Sequence, residues 1–291
     1  MLRKIQNGAQ LSAQSWQALR ENPQLLIFPL LSLIASLLVT VVFFIPLAGT
    51  NLIDISAGRE DPSILTLIVL FLYYVANYTV IIFSNTALIA AASKAIRGEK
   101  PTVRDGLDLA MSRLGKILPY AIISATVGMV ARSISQSGRR SNNPILAILA
   151  AILGSLLQGA WNILVFFAIP VLVYENVGVV DGLKRSFQLF RQTWGESFTG
   201  STVIGGISCL LYGAVMLIGA VLIGAAFASG SVALSIAAVV VVVLAILALG
   251  LLSGAVNGVF QASMYLYATT GDAGQYVDTE LARQAFGGVQ S

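Results

Sequence analysis

Seven polar residues stand inside long uncharged stretches of this chain: Tyr74, Asn77 and Asn85, then Gln158 and Asn162, then Asn257 and Gln261. Tyr74, Asn77, Tyr78, Ile81 and Asn85 share one face of a helix by their spacing, as do Ser155, Gln158 and Asn162, and Asn257 and Gln261. Amides and phenols in hydrocarbon have two uses. They can line a polar cavity, or they can bond to neighbouring helices, each pair contributing ~0.6–2 kcal/mol. Neither use is acid–base or nucleophilic chemistry.

The rest of the composition narrows the chemistry further. There is no histidine among the 291 residues, which removes the commonest general base and the commonest metal ligand. Ser–His catalysis and HExxH zinc chemistry are excluded with it. No Walker loop is present, so no nucleotide is expected by that route. The one cysteine, Cys209, lies in an apolar run and reads as a buried structural thiol. No catalytic residue, metal site or cofactor is therefore expected, and the chain reads as a non-enzyme. The formal charge of +4 does not argue for nucleic acid, because the basic residues follow a topological pattern.

The elements that must carry these residues are membrane helices. Residues are 57% hydrophobic and 10% charged, against about 25% charged in soluble domains. Mean hydropathy is +0.85. Six uncharged segments of the length a bilayer needs, ~20 residues, run at Leu25–Ala48, Ile64–Ala92, Ile117–Val130, Ile145–Tyr174, Ser197–Ala228 and Val232–Thr269. As delimited, none contains Asp, Glu, Lys or Arg, which counts against a proton-driven pump. The third is short and is expected to reach slightly past Arg132, with that arginine snorkelling to the interface. The last is long enough for two spans, but no charge or proline supports a turn at Gly250 or Ser253, and it is read as one tilted helix. Arg3 and Lys4 are followed by polar sequence as far as Pro23, unlike a signal peptide.

Charge sets the expected orientation. Thirteen of the 17 Lys and Arg residues fall on one side of the six-span arrangement. Arg59, Arg132, Arg139 and Arg140 fall on the other. That bias puts both termini in the cytoplasm of a prokaryotic inner membrane. Basic residues from Lys94 to Lys116 serve as topology signals or as contacts for anionic lipid, at ~1 kcal/mol each.

Between the spans lie amphipathic stretches. After Asp181 and Gly182, the residues Leu183, Phe187, Phe190 and Trp194 fall on one face, with Lys184, Arg185, Gln188 and Arg191 on the other. This reads as a helix on the membrane surface, aromatics at headgroup level and cations toward the cytoplasm. Leu107, Met111, Leu114 and Leu118 repeat the pattern after Asp105 and Gly106, and Trp16 and Leu19 form a weaker version ended by Asn22-Pro23. Asp105 and Asp181 are expected as N-caps. Two small-residue stripes, Gly250, Gly254, Gly258 and Ala262, and Ala220, Gly224 and Ala228, offer close helix packing within the chain or in a homo-oligomer.

These parts recur in order: surface helix, span, span. Val103–Leu107 parallels Val179–Leu183, Phe28-Pro29 parallels Leu118-Pro119, and Leu156–Asn162 parallels Leu251–Asn257. Asn85, Asn162 and Asn257 precede Asp105, Asp181 and Asp278 by 20, 19 and 21 residues. The expectation is a single all-α membrane domain, residues 1–291, of three pseudo-repeated hairpins. Their limits are about 8–97, 102–176 and 179–271, and a short tail, 272–291, begins a truncated fourth surface helix at Asp278. The three asparagines should then turn inward together.

The opening Ser15-Trp16-x-x-Leu19-x-x-Asn22-Pro23-x-Leu25-Leu26-x-Phe28-Pro29 resembles an uncharacterised family of prokaryotic six-helix integral membrane proteins, a domain of unknown function. More distantly, it resembles the membrane domain of bacterial glycerophosphodiester phosphodiesterases. The resemblance implies a fold and carries over no catalytic residues. Two roles fit. One is a membrane scaffold or accessory subunit that organises lipid or a protein partner. The other is a passive conduit or binding protein for a lipid or other apolar molecule.

Overall fold

The computed structural model describes residues 2–48, 63–139, 144–194 and 199–286. They form eleven α-helices and no strand. These are α1 (Leu2–Glu21), α2 (Ile27–Ala48), α3 (Ile64–Ile96), α4 (Val103–Ser112), α5 (Leu114–Arg139) and α6 (Pro144–Val165). They continue with α7 (Ala168–Tyr174), α8 (Val179–Trp194), α9 (Thr199–Ala228), α10 (Val232–Thr270) and α11 (Thr279–Phe286). Six helical stretches are long and apolar enough to cross a membrane: Pro23–Pro46, Ile64–Ile96, Leu114–Ser137, Ile145–Tyr174, Leu211–Ala228 and Val232–Thr270. The chain is an all-α polytopic membrane protein. Arg59 and Arg140 lie outside the described residues, as do Ser197 and Phe198 at the expected start of the fifth span.

Two spans are instructive in their limits. The third passes Arg132 as expected and runs on to Arg139. The fourth is interrupted. Pro170 has no N–H to offer the carbonyl of Phe166 and its ring crowds that turn, so the helix breaks at Phe166-Phe167 and restarts as α7. The last run is one continuous helix of 39 residues, about 58 Å long, well beyond the hydrocarbon thickness. Its excess is buried in protein: Ala255, Val259, Phe260, Ala262, Met264, Tyr265 and Tyr267 are all buried. By contrast, Val232, Leu234 and Ile236 at its start are exposed.

The chain divides into two compact units, neither of which follows the limits of the three expected repeats. The first comprises Met1–Pro29, Ala92–Pro101 and Arg191–Ser291. Here α1 packs against α9 and α10 through Leu11, Ser15, Ala18 and Leu19. Their spacing is i, i+4, i+7, i+8, one side of a helix. Trp16 stays 40% exposed, so the buried face is turned from the one that Trp16 and Leu19 together would define. Asn22 ends α1 and starts the 3-10 turn Pro23–Leu26. Its amide donates to the Ala18 carbonyl at 3.0 Å and to the Tyr276 hydroxyl at 3.1 Å.

Tyr276 belongs to a C-terminal segment that docks tightly. The last turn of α3 closes with Gly98 at φ +82°, a left-handed position that favours glycine. The Gly98 N–H donates to Ala95 O and the Glu99 N–H to Lys94 O, the paired bonds of a Schellman end. The next carbonyl, Ile96 O, accepts from the Gln275 N–H at 3.1 Å, and Gln275 Nε2 donates to Ala95 O at 2.8 Å. Ala273, Val277 and Ala282 are buried around this contact. Asp278 starts α11 as expected, its Oδ1 accepting from the Glu280 and Leu281 N–H groups, and its own N–H donates to Gln14 Oε1 at 3.1 Å.

The second unit comprises Leu30–Ala91 and Thr102–Phe190. The antiparallel pair α5 and α6 touches closely at Gly154, against Ala131 and Ser135. A core of Ile82, Ile117, Tyr120, Ala121, Ala168 and Leu172 lies beneath, covered by Tyr78, Trp161, Val179 and Leu183. The short helix α4 is capped by Thr102, with Asp105 completing a reciprocal capping box three residues on. Asp105 is thus the third residue of the helix rather than its cap, and Asp181 likewise lies within the first turn of α8. The helix α4 ends at Ser112, so Leu114 and Leu118 belong to the third span.

The break in the fourth span has a partner. The Phe167 N–H, released from helical bonding, donates to Ser186 Oγ on α8 at 3.0 Å, and Ser186 is fully buried. Phe166 meets the ring of Phe190 at 6.4 Å. Ser186→Ala removes this acceptor and should lower stability by about 1–3 kcal/mol, with faster hydrogen exchange across Phe166–Ala168. An unchanged melting temperature together with unchanged exchange would show that Ser186 does not hold the break.

Candidate functional site

The strongest polar constellation joins a predicted residue to one that composition had placed at the membrane edge. Arg132 Nη1 donates to the Tyr74 hydroxyl, and the guanidinium carbon lies 5.8 Å from the centre of the Tyr74 ring. Arg132 does not snorkel freely. It is held by a hydrogen bond and by the negative face of a π system. One turn away, Tyr78 lies over Gly128: a Cβ there would meet the Tyr78 hydroxyl at 3.0 Å. Large tyrosines on α3 thus bridge to α5, opposite the positions where α5 is a glycine or an arginine.

Tyr74 is buttressed from behind. Tyr73 and Tyr74 meet edge-on at 5.7 Å, and Phe43 of α2 meets Tyr73 in the same way at 5.8 Å. Thr40 Oγ1 donates its one proton to Ser36 O at 2.8 Å. The bond between Thr40 and Tyr73, 3.3 Å, therefore has Tyr73 as donor. The row Phe43, Tyr73, Tyr74, Arg132 fixes the position of the guanidinium.

The other polar positions are settled more locally. Asn77 Nδ2 donates to Tyr73 O at 3.2 Å, within its own helix. Gln158 Nε2 donates to Asn162 Oδ1 at 3.1 Å, again one turn apart. Asn85 and Gln261 are half-buried, whereas Asn162 and Asn257 are exposed. The oxygen of Asn162 is satisfied by Gln158 from the same helix.

Of the small-residue stripe on α10, Gly258 is buried and a Cβ at Gly250 would stand 3.5 Å from the Tyr212 hydroxyl, but a Cβ at Gly254 would meet nothing within 4 Å. On α9, Ala220 and Gly224 are exposed. The close approach falls at the neighbouring Gly219, where a Cβ would stand 2.8 Å from Val242. Within the chain, the close contact on α9 thus falls at Gly219, one residue from Ala220.

On α8 the buried face is Gly182, Ser186, Leu189 and Phe190, spaced i, i+4, i+7, i+8. Phe190 is buried in protein rather than resting among headgroups. Arg185 is drawn from the expected cationic face by Glu175, at 3.1 Å with both side chains mostly covered. Phe187 is 47% exposed, Lys184 pairs only loosely with Asp181 at 3.9 Å, and Arg191 is exposed. Nothing is described of the Trp194 side chain. The loop after α7 is clamped as well, since Lys116 Nζ donates to both the backbone and side-chain oxygens of Asn176, which adopts φ +53°.

A family of unknown function, DUF6159, matches residues 64–275, from the first residue of α3 to the glutamine that caps its end. The chain belongs to this family. The DUF6159 match includes Tyr74, Arg132, the broken fourth span and all of α8. It leaves out the opening Ser15–Pro29, whose positions have packing tasks: Ser15, Leu19, Asn22, Leu25 and Phe28 are all buried. No curated protein and no solved structure matches the chain. Among the described residues no group of three or more His, Cys, Asp or Glu side chains is placed to hold a metal ion.

Proposed function

We propose that this chain is a non-enzymatic membrane scaffold whose cytoplasmic helices organise anionic lipid, or a partner protein, at the inner membrane of a prokaryote. The observation that carries the reading is the division of labour on α8. Its inner face is fastened through Ser186 and Phe190, while Phe187, Lys184 and Arg191 remain exposed on the outside. A fixed helix offering one aromatic ring and two cations suits a lipid interface, where apolar burial and attraction to anionic headgroups add. Asn77, Gln158 and Asn162 of the membrane stripe bond within their own helices, which favours a scaffold over a conduit lined by them.

The threefold repeat is part of this proposal. The spacing i, i+4, i+7, i+8 is buried both in α1 and in α8, with a fully buried serine, Ser15 or Ser186, at its second position. In α4 the small residues Gly106 and Ala110 take the first two places. The opening motif Ser15–Pro29 resembles the membrane domain of glycerophosphodiester phosphodiesterases, a resemblance that would accord with a lipid setting.

The test uses the full chain in nanodiscs. Phe187→Asn with Lys184→Gln and Arg191→Gln should lower the enrichment of anionic over zwitterionic lipid around the protein, with the melting temperature kept within the small range of surface changes. Lys184→Cys should be labelled only from the cytoplasmic side. Lipid enrichment unaffected by the triple change would refute the scaffold reading, and labelling from outside would reverse the orientation.

A further inference from the structure

We propose that Tyr74 and Arg132 form a binding site for the phosphodiester of a lipid headgroup, at the end of α5 remote from Lys116. The inference is independent of the surface-helix reading, because it concerns other residues at the other end of the second unit.

Depth is the first argument. Arg132 stands 16 residues along α5 from Lys116, about 24 Å at the helical rise. A hydrocarbon core is ~30 Å thick. With Lys116 at one headgroup layer, the Arg132 backbone lies about 6 Å inside the other boundary, a distance that its long side chain spans to reach the level of lipid phosphates. The second argument is the unused donors. A guanidinium carries five N–H groups in a planar fork that matches phosphate oxygens, and one of them is engaged by the Tyr74 oxygen. Among the described residues Arg132 meets no carboxylate. The Tyr74 oxygen accepts from Arg132, so its own O–H remains available to the same acceptor. Tyr73 is different, because its proton goes to Thr40. Tyr73 is a positioning residue, holding the Tyr74 ring in place.

The third argument selects a lipid over a soluble anion. Leu72 and Val130, beside these residues on the same two helices, are 50% and 47% exposed. A small phosphate ion would have to leave water to sit against that apolar surface. A lipid brings its own acyl chains to cover it. Arg132 also cannot be neutralised by losing its proton, so a membrane-level site gains most by supplying it with an anion.

Native mass spectrometry of the full chain with added phosphatidylglycerol tests the proposal. Wild type should retain the lipid at activation energies that strip phosphatidylcholine. Arg132→Gln should weaken retention about tenfold, and Arg132→Lys should fall between, since a point charge lacks the fork. Tyr74→Phe keeps the ring under the guanidinium and removes only the hydroxyl, so it guards against misfolding of the arginine variants. It should weaken retention severalfold at an unchanged melting temperature. Equal lipid retention by wild type, Arg132→Gln and Tyr74→Phe would overturn the proposal. Displacement of the lipid by millimolar inorganic phosphate would overturn it as well, by showing a soluble-anion site.

Discussion

Gly274→Val is expected to release the C-terminal segment from the end of α3. Gly274 adopts φ +86°, which costs a β-branched residue dearly. A Cβ there would also stand 2.0 Å from Ile96 Cγ2 and 3.1 Å from the Ile96 carbonyl oxygen. Backbone strain and overpacking together amount to about 2–6 kcal/mol, a large share of the 5–15 kcal/mol that typically holds a domain folded. Once Gly274 moves, Gln275 no longer reaches the carbonyls of Ala95 and Ile96, and Val277 and Ala282 lose their cover. Hydrogen exchange should rise across Ser93–Arg97 and Ala273–Ala282 together, with a lower melting temperature in detergent. Wild-type exchange in both segments would mean that the docked arrangement does not exist in solution.

Gly154→Ala tests the seam between α5 and α6, and here even the sign is informative. In a helix with open space around it, alanine is about 1 kcal/mol better than glycine. At Gly154 the added Cβ would lie 2.0 Å from Ser135 Oγ and 2.9 Å from the Ala131 backbone oxygen. The hydroxyl can rotate away, but the backbone cannot, so the two helices must separate. A loss of about 1–3 kcal/mol is expected. Gly159, in the same helix with nothing within 4 Å of its missing Cβ, provides the contrast: Gly159→Ala should be neutral or stabilising. Adding Ser135→Ala to Gly154→Ala should recover only part of the loss, because Ala131 O remains. If Gly154→Ala and Gly159→Ala shift the melting temperature alike, the close approach is absent.

Long apolar runs made the six spans readable, because few other structures accommodate them. The limits of α2 and α10 differ from expectation by no more than two residues. The less legible positions share a cause. Hydropathy sees large apolar side chains and is blind to small ones, so on α8 the face of Phe187 and Phe190 is legible, whereas Gly182 and Ser186, which mark the face that packs, are not. The seam at Gly154 carries a readable signal, since Ala131 and Ser135 are small residues four apart on the facing helix. Composition alone lets Arg132 snorkel to the interface without a partner. The tyrosine that holds it lies 58 residues earlier, beyond the reach of any local pattern. The docking of Gln275 on Ala95, 180 residues apart, left no compositional trace.

That last separation sets an order of events during synthesis. At roughly 5–20 residues per second, the ribosome makes Gln275 about 9–36 s after Ala95, and Asp278 later still relative to Gln14, 264 residues before it. Over that interval the second and third spans can already enter the bilayer, while the end of α3 and the buried face of α1 wait for partners not yet polymerised. The first unit is therefore completed by the newest part of the chain closing on the oldest. An interrupted or truncated product displays open carbonyls and an uncovered apolar helix, the features by which chaperones and membrane proteases tell unfinished proteins from finished ones.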